Sequence, residues 1–308
     1  MRLGLHRMSG AADNGFREYV ATVRPPWVKM LDEWPQELVE FCHQQGTKVV
    51  GRVYFPDDQQ RLSEAARAIA RVVNEARKHP WVDAWELWNE CHQTADVASP
   101  YANVSVQFAS AMLAEGKIAV IGCFSVGQTS FDYWASYKIA LMMAERSNGR
   151  VLVGLHEYGG DDLMEGVEAV SPQLGWWMLR YRRHRLAWSN LGIGDVGILI
   201  TESGKDNIHP DGKGGFRNRP GDYAVEMADY CRELSKDGYI KGVVDFGWAT
   251  ADPQWKSFDL SQEPAILNAM KREMLKLPVG PEEPPIKEPT TMPPIQKVTP
   301  RVYSSRVG

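Results

Sequence analysis

Two glutamates carry the clearest chemistry in this sequence. Glu90 closes the segment Trp85-Glu86-Leu87-Trp88-Asn89-Glu90, and Glu202 follows the run Gly197-Ile198-Leu199-Ile200-Thr201. Each acid stands directly after an apolar, β-rich run, an awkward place for a charge without partners. A third run ends Leu155-His156-Glu157-Tyr158, a fourth ends Asp245-Phe246-Gly247-Trp248, and a fifth contains Arg52 and Tyr54. If Glu90 and Glu202 face each other across a cleft, one can protonate a leaving oxygen while the other, ionised, attacks carbon. That is the chemistry of glycosidic-bond cleavage. A carboxyl separation of about 5–5.5 Å goes with retention through a covalent intermediate, and about 6.5–9.5 Å with inversion.

Something must hold those side chains at one end of a scaffold. Short apolar runs recur along the chain at Leu3–His6, Trp27–Leu31, Lys48–Phe55, Trp81–Asn89, Ile118–Cys123, Val151–His156, Val196–Thr201 and Gly242–Trp248. Near-continuous apolar runs are the mark of strands buried on both faces of a parallel sheet. Between them lie stretches with helical period. The clearest is Arg61–His79, where Leu62, Ala65, Ala66, Ile69, Val72, Val73 and Ala76 form one face and Pro80 ends the pattern. Tyr101–Glu115, Phe131–Arg146, Ser171–Trp188, Tyr223–Lys236 and Pro264–Lys276 read the same way, with two further helices within 14–23 and 35–45. Eight strands alternating with eight helices predict a single α/β (β/α)8 TIM barrel over residues 1–277. A doubly wound open sheet is the rival. The turn after the first strand, His6-Arg7-Met8-Ser9-Gly10, lacks the GxGxxG pattern that such a sheet usually carries there.

In a barrel the chemistry gathers at the carboxyl ends of the strands, where Glu90 and Glu202 fall. Alternation places Glu86, Trp88 and Glu90 on one face, and Ile198, Ile200 and Glu202 on another. Glu157 alternates outward. Glu86 points inward below Glu90 and needs a partner, for which Arg52 on the neighbouring strand is the candidate.

Composition narrows the classes further. Of 308 residues, 44% are hydrophobic and 24% charged, with 11 Trp, 11 Tyr and 9 Phe, which excludes disorder over the whole length. A net charge of −4 argues against a general nucleic-acid binder, and no apolar run approaches a membrane span. Cys42, Cys91, Cys123 and Cys231 are widely spaced, with no CxxC pair to suggest a structural zinc site. The run Arg180, Arg182, Arg183, His184, Arg185 reads as a solvated helix face, and Trp176, Trp177 and Trp188 as packing residues. Eight of the 19 prolines fall between Pro278 and Pro300, so residues 278–308 are expected to form an extended linker or wrapping arm, with a further module possible beyond it.

The motif set resembles the clan A superfamily of (β/α)8 retaining glycoside hydrolases, which includes cellulase-like, mannanase-like and galactanase-like families. The resemblance rests on Asn89-Glu90 ending strand 4, Glu202 ending strand 7, His156 and Tyr158 ending strand 6, and Trp248 ending strand 8. It implies Glu90 as acid/base and Glu202 as nucleophile, with Asn89 on the sugar 2-hydroxyl. Tyr158 is then a donor to the nucleophile, and His156 bonds the substrate or a carboxylate. Trp248 is a platform for a sugar ring and Tyr54 a second one. Many clan members carry an Arg near the end of strand 2. This chain has Lys29 there, and Arg52 is expected to serve instead. The implied substrate is a β-linked polysaccharide or oligosaccharide cut without a cofactor, with endo action favoured. Two rivals stand beside it: a degenerate barrel that only binds glycan, and a metal-dependent barrel hydrolase using His6, His156 and carboxylates. No secretory leader is visible at the start of the sequence, although such a substrate favours an extracellular or surface setting.

Overall fold

The computed structural model describes residues 1–91, 94–160, 177–205, 215–216, 223–250 and 252–278. Eight strands, β1 (Gly4–Arg7), β2 (Trp27–Leu31), β3 (Lys48–Arg52), β4 (Ala84–Glu86), β5 (Ile118–Phe124), β6 (Val151–Gly159), β7 (Ile198–Lys205) and β8 (Ile240–Trp248), form a closed barrel in sequence order. Every pairing is parallel, and β8 returns to β1. The helices among the described residues are α1 (Asn14–Val23), α2 (Gln36–Gln44), α3 (Ala65–Lys78), α4 (Ala95–Ala114), α5 (Lys138–Arg146), α6 (Tyr181–Asn190), α7 (Tyr223–Leu234) and α8 (Pro264–Leu275). None of the described helices is long and apolar enough to cross a membrane.

The expected (β/α)8 barrel is therefore the fold, with shifted boundaries. Strand β4 is confined to Ala84–Glu86 rather than 81–89, and α4 starts at Ala95 rather than Tyr101. Residues Phe131–Ala135 form a 3-10 turn ahead of α5. Of the helix expected over Ser171–Trp188, residues 171–176, with Trp176, lie outside the described residues, as do 206–214, 217–222 and the Pro-rich stretch from 279 onward.

Two apolar layers hold the barrel together. Inside it, Trp27, Val50, Ala84, Ile118, Val120, Leu152, Leu199 and Val244 fill the floor. The Trp27 indole fits because β8 offers Gly242, where a Cβ would come 2.5 Å from Trp27 Cδ1. Outside, alternate residues such as Leu5, Met30, Trp85, Val153, Ile198 and Ile200 pack against the helices. Helix α3 covers its part with Ala65, Ala68, Val72 and Ala76, spaced three or four apart, while Ala66 is exposed rather than part of the face. Full burial of each large side chain stabilises by about 1.5–3 kcal/mol.

The basic run on α6 is not a solvated face. Arg180 and His184 are buried, and the Arg180 and Arg183 guanidinium groups lie 4.5 and 4.8 Å from the Phe131 ring centroid. Arg182 bonds Asp237, and Arg185 covers Tyr239. Trp188 is core, at 5.0 Å from Trp134.

Candidate active site

Above the apolar floor, the inward positions turn polar. Alternation carries Trp27 to Lys29 on β2, Val50 to Arg52 on β3, Ala84 to Glu86 on β4, and Leu152 through Gly154 to His156 and Tyr158 on β6. On β7 simple alternation from Leu199 would bring Thr201 inward. Register shifts instead: Leu155 pairs with Ile200, but His156 pairs with Glu202. Thr201 is the extra residue, and the bulge turns Glu202 into the mouth beside His156. The shared face expected for Ile198, Ile200 and Glu202 is thereby corrected, since the two isoleucines belong to the outer shell. Strand β4 is corrected likewise. Its ladder stops at Glu86, and Trp88 packs on Tyr101 of α4 at 5.7 Å. Glu90 reaches the mouth in a left-handed conformation, φ 50°, with its N–H bonded to the Cys123 carbonyl at 3.0 Å.

The two glutamates meet around one imidazole. His156 Nδ1 lies 2.7 Å from Glu90 Oε1 and 3.5 Å from Glu202 Oε2. That nitrogen thus faces oxygens of both carboxylates. Oxygens of Glu90 and Glu202 lie within 4.8 Å of each other. Glu202 is buried, and its Oε1 accepts from Lys29 Nζ at 3.0 Å and from Arg52 at 3.1 Å. The Tyr158 hydroxyl donates to its Oε2 at 3.0 Å. Burial pushes the Glu202 carboxyl up, but His156, Lys29 and Arg52 outweigh it and hold the group well below the usual carboxylate range. Glu90 is different: its side chain is 37% exposed, and among the described residues it meets the His156 ring but no lysine or arginine.

Glu86 is paired with Lys29 at 2.8 Å, not with the expected Arg52. Arg52 stands level with Glu86 in the ladder, but its guanidinium rises to Glu202. Lys29 bridges both acids, and although burial opposes its charge, Glu202 and Glu86 raise its pKa above the usual lysine value. Two cations and two anions thus balance inside the barrel.

Trp248 is the clearest correction to the expected site. His6 pairs with Phe246 but Arg7 with Trp248, so Gly247 is an extra residue and the indole faces outward. There it is 4% exposed, lies against Phe16 at 6.4 Å, and donates Nε1–H to the Ala12 carbonyl at 3.2 Å. Gly15 admits it, since a Cβ there would come 2.7 Å from Trp248 Cη2. Phe246 takes the inward place, 5.4 Å from the His6 ring, in a cluster with Tyr158 and Phe258. Tyr54 is 52% exposed beyond β3, its N–H bonded to Asp32 Oδ1. The Asn89 N–H bonds Gln60 Oε1, and its buried Oδ1 has no partner among the described residues.

Sequence reasoning weighed His6 only as a metal ligand and did not select Phe246. His6 is fully buried, with Nδ1 3.6 Å from Glu202 Oε1, and burial together with Lys29 lowers its pKa well below the ordinary value, so it is neutral. Its parity with Gly4 on a short buried strand was the available signal. Glu90, His156 and Glu202 offer three donor atoms close enough for a metal ion. The donor set fits one poorly. Glu202 already faces Lys29 and Arg52 at about hydrogen-bond distance, and a divalent ion would be a third cation on the same carboxylate.

No protein-family model matches the chain, and no curated protein matches it in sequence. Its fold does match solved structures. An endoglucanase of Pseudomonas stutzeri aligns with a TM-score of 0.52 and 15% identity, over 88% of this chain and 93% of that one. A broad-specificity endoglucanase from an uncultured bacterium aligns at 0.51 and 12%, over 90% and 94%. A D-psicose 3-epimerase of Clostridium cellulolyticum H10 aligns at 0.50 and 14%, over 90% and 98%. Likeness at such identities is likeness of fold, and a barrel of this kind serves more than one chemistry.

Proposed function

We propose that the protein is a retaining glycoside hydrolase acting on β-linked glycans, with Glu202 as nucleophile and Glu90 as acid/base. The observation that carries this reading is the unequal setting of two carboxylates whose oxygens lie within 4.8 Å. Glu202 is held ionised among Lys29, Arg52 and His156, as a nucleophile must be. Glu90 is open to solvent and free of a permanent cation among the described residues, so it can give and take a proton. The short distance between these oxygens supports retention, because inversion needs room for a water between acid and sugar. The endoglucanases among the structural neighbours are consistent with this chemistry.

The reaction runs in two displacements. A Glu202 oxygen attacks the anomeric carbon while Glu90 passes its proton to the departing glycosidic oxygen. Ionised Glu90 then takes a proton from water, whose oxygen attacks the same carbon and releases Glu202. The Tyr158 hydroxyl and His156 hold the two carboxylates in place throughout. Asn89, next to Glu90, is the residue for the sugar 2-hydroxyl, a contact that strengthens in the transition state. Phe246, rather than Trp248, offers the aromatic face beside the reacting sugar.

The test is reducing-end release from β-glucans, mannans, galactans and cell-wall glycans, with Glu202→Ala and Glu90→Ala in parallel. The native chain should cut one class, with both variants losing nearly all activity, and the first product should keep the anomeric configuration by proton NMR. Near-native rates in both variants would overturn the site. Glycan binding without cutting would favour a binding module, and loss of activity on metal removal would favour a metal-dependent enzyme.

A further inference from the structure

Glu157 sits between the two residues of β6 that touch the carboxylates, yet it points the other way. Its side chain is buried on the outer face of the barrel. Oε1 accepts the Tyr181 N–H at 2.8 Å. Oε2 accepts the Leu179 N–H at 2.9 Å and the Tyr230 hydroxyl at 2.7 Å. One carboxylate therefore ties three elements together: the end of β6, the turn entering α6, and the middle of α7. On the opposite face of the same short stretch, His156 holds Glu90 and Tyr158 holds Glu202.

From this geometry, and resting on the hydrolase reading above, we propose that Glu157 is a positioning residue. Its ionised carboxylate clamps the 179–181 turn and Tyr230 to the back of β6, and so fixes where His156 and Tyr158 present themselves to the catalytic pair. The clamp favours the ionised form, in which two oxygens accept all three donors at once. A proton on either oxygen takes up a lone pair there and competes with the donor that faces it. The groups facing the carboxylate are Tyr181 and Arg180 at the start of α6 and Tyr230 on α7. The Tyr181 hydroxyl is itself committed to Asp237. Burial raises Glu157 to about 7, against the pull of the Tyr230, Tyr181 and Leu179 donors and the Arg180 charge. The clamp thus changes state near neutrality, well above the range in which Glu202 gains a proton.

The experiment follows the Tyr158 ring by carbon NMR in the full chain from about pH 5.5 to about pH 9, in native protein, Glu157→Gln and Tyr230→Phe. The same proteins are assayed for kcat and KM on whichever glycan the panel identifies. Native Tyr158 ring signals and kcat should move together with a midpoint near neutrality, with kcat falling several-fold on the acid side and KM little changed. Glu157→Gln should lose that midpoint. Tyr230→Phe removes a donor that favours the ionised form, so its midpoint should move to higher pH. A native-like midpoint in Glu157→Gln, or an unshifted one in Tyr230→Phe, would overturn the proposal. If Glu157→Gln does not fold, Tyr230→Phe decides alone. If no glycan is cut, the hydrolase reading fails by itself, and the Tyr158 midpoint still decides on Glu157.

Discussion

The barrel buries acids in two ways. Inside the mouth, Glu86 and Glu202 are buried against Lys29 and Arg52. On the outer face, Glu157 and Asp245 are equally buried but are met chiefly by neutral donors. Asp245 accepts from the Tyr223 hydroxyl at 2.7 Å, with no ion pair among the described residues. The consequence is opposite shifts of pKa at similar burial. Glu202 is held well below the usual range by its cations, whereas burial raises Glu157 to about 7 and Asp245 to about 8. Burial alone favours the neutral acid; donors on Glu157 pull against it without reversing it, and at Glu202 the cations do reverse it. The mouth spends buried cations on keeping a nucleophile charged; the outer face uses acids as hydrogen-bond hubs.

The largest effect should come from removing the shared cation. Lys29→Met leaves Glu86 buried without its partner and takes one of two strong donors from Glu202. Breaking a buried pair from one side costs about 3–5 kcal/mol. Urea denaturation should show a loss of that order, and adding Glu86→Gln should recover part of it. A double mutant no more stable than the single would mean that the pair is not the source of the loss.

A smaller, graded effect should appear on changing pH. Glu157 and Asp245 bind protons more tightly folded than unfolded. Their stabilising contribution is full below their ordinary values of 4.5 and 3.8, and is lost as pH rises through about 7 and about 8. Glu202 has the opposite sign: its contribution is present above 4.5 and is lost as pH falls through its depressed folded value. Stability should therefore decline between mildly acid and mildly alkaline pH, and decline again in strong acid. Asp245→Asn should flatten the alkaline part of the curve while leaving the acid part. An unchanged slope in that variant would show that Asp245 is ionised in the folded protein at neutral pH, and the contrast between the two faces would fail.

Much of this arrangement was legible in the sequence, and the failures have a common cause. Continuous apolar runs and helical periods report burial directly, so the strands, helices and closed barrel follow from them. Glu90, Glu202, His156 and Tyr158 all lie toward the carboxyl ends of such runs, which is what brings them to one end of the barrel. What local sequence does not encode is register. The extra residue at Thr201 turns Glu202 inward, and the extra residue at Gly247 turns Trp248 outward. Both bulges are set by pairing with the next strand, not by the residue types around them. The partner of Glu86 was misread for a similar reason. Arg52 is its ladder neighbour, but Lys29 reaches it across the barrel from two strands away.

The smallest effect separates the two faces of β8. Trp248→Phe loses the Nε1–H bond to Ala12 and part of the packing on Phe16, at a cost of about 1–2 kcal/mol. Because the indole faces α1, this variant should keep native kcat and KM. Phe246→Ala removes the ring beside His6, and should raise KM several-fold while costing the enzyme less of its nucleophile's charge than any change at Lys29. Chemical denaturation and steady-state kinetics on the two variants give both readouts. A raised KM in Trp248→Phe would mean that the indole reaches substrate, and the outward turn at Gly247 would then be wrong.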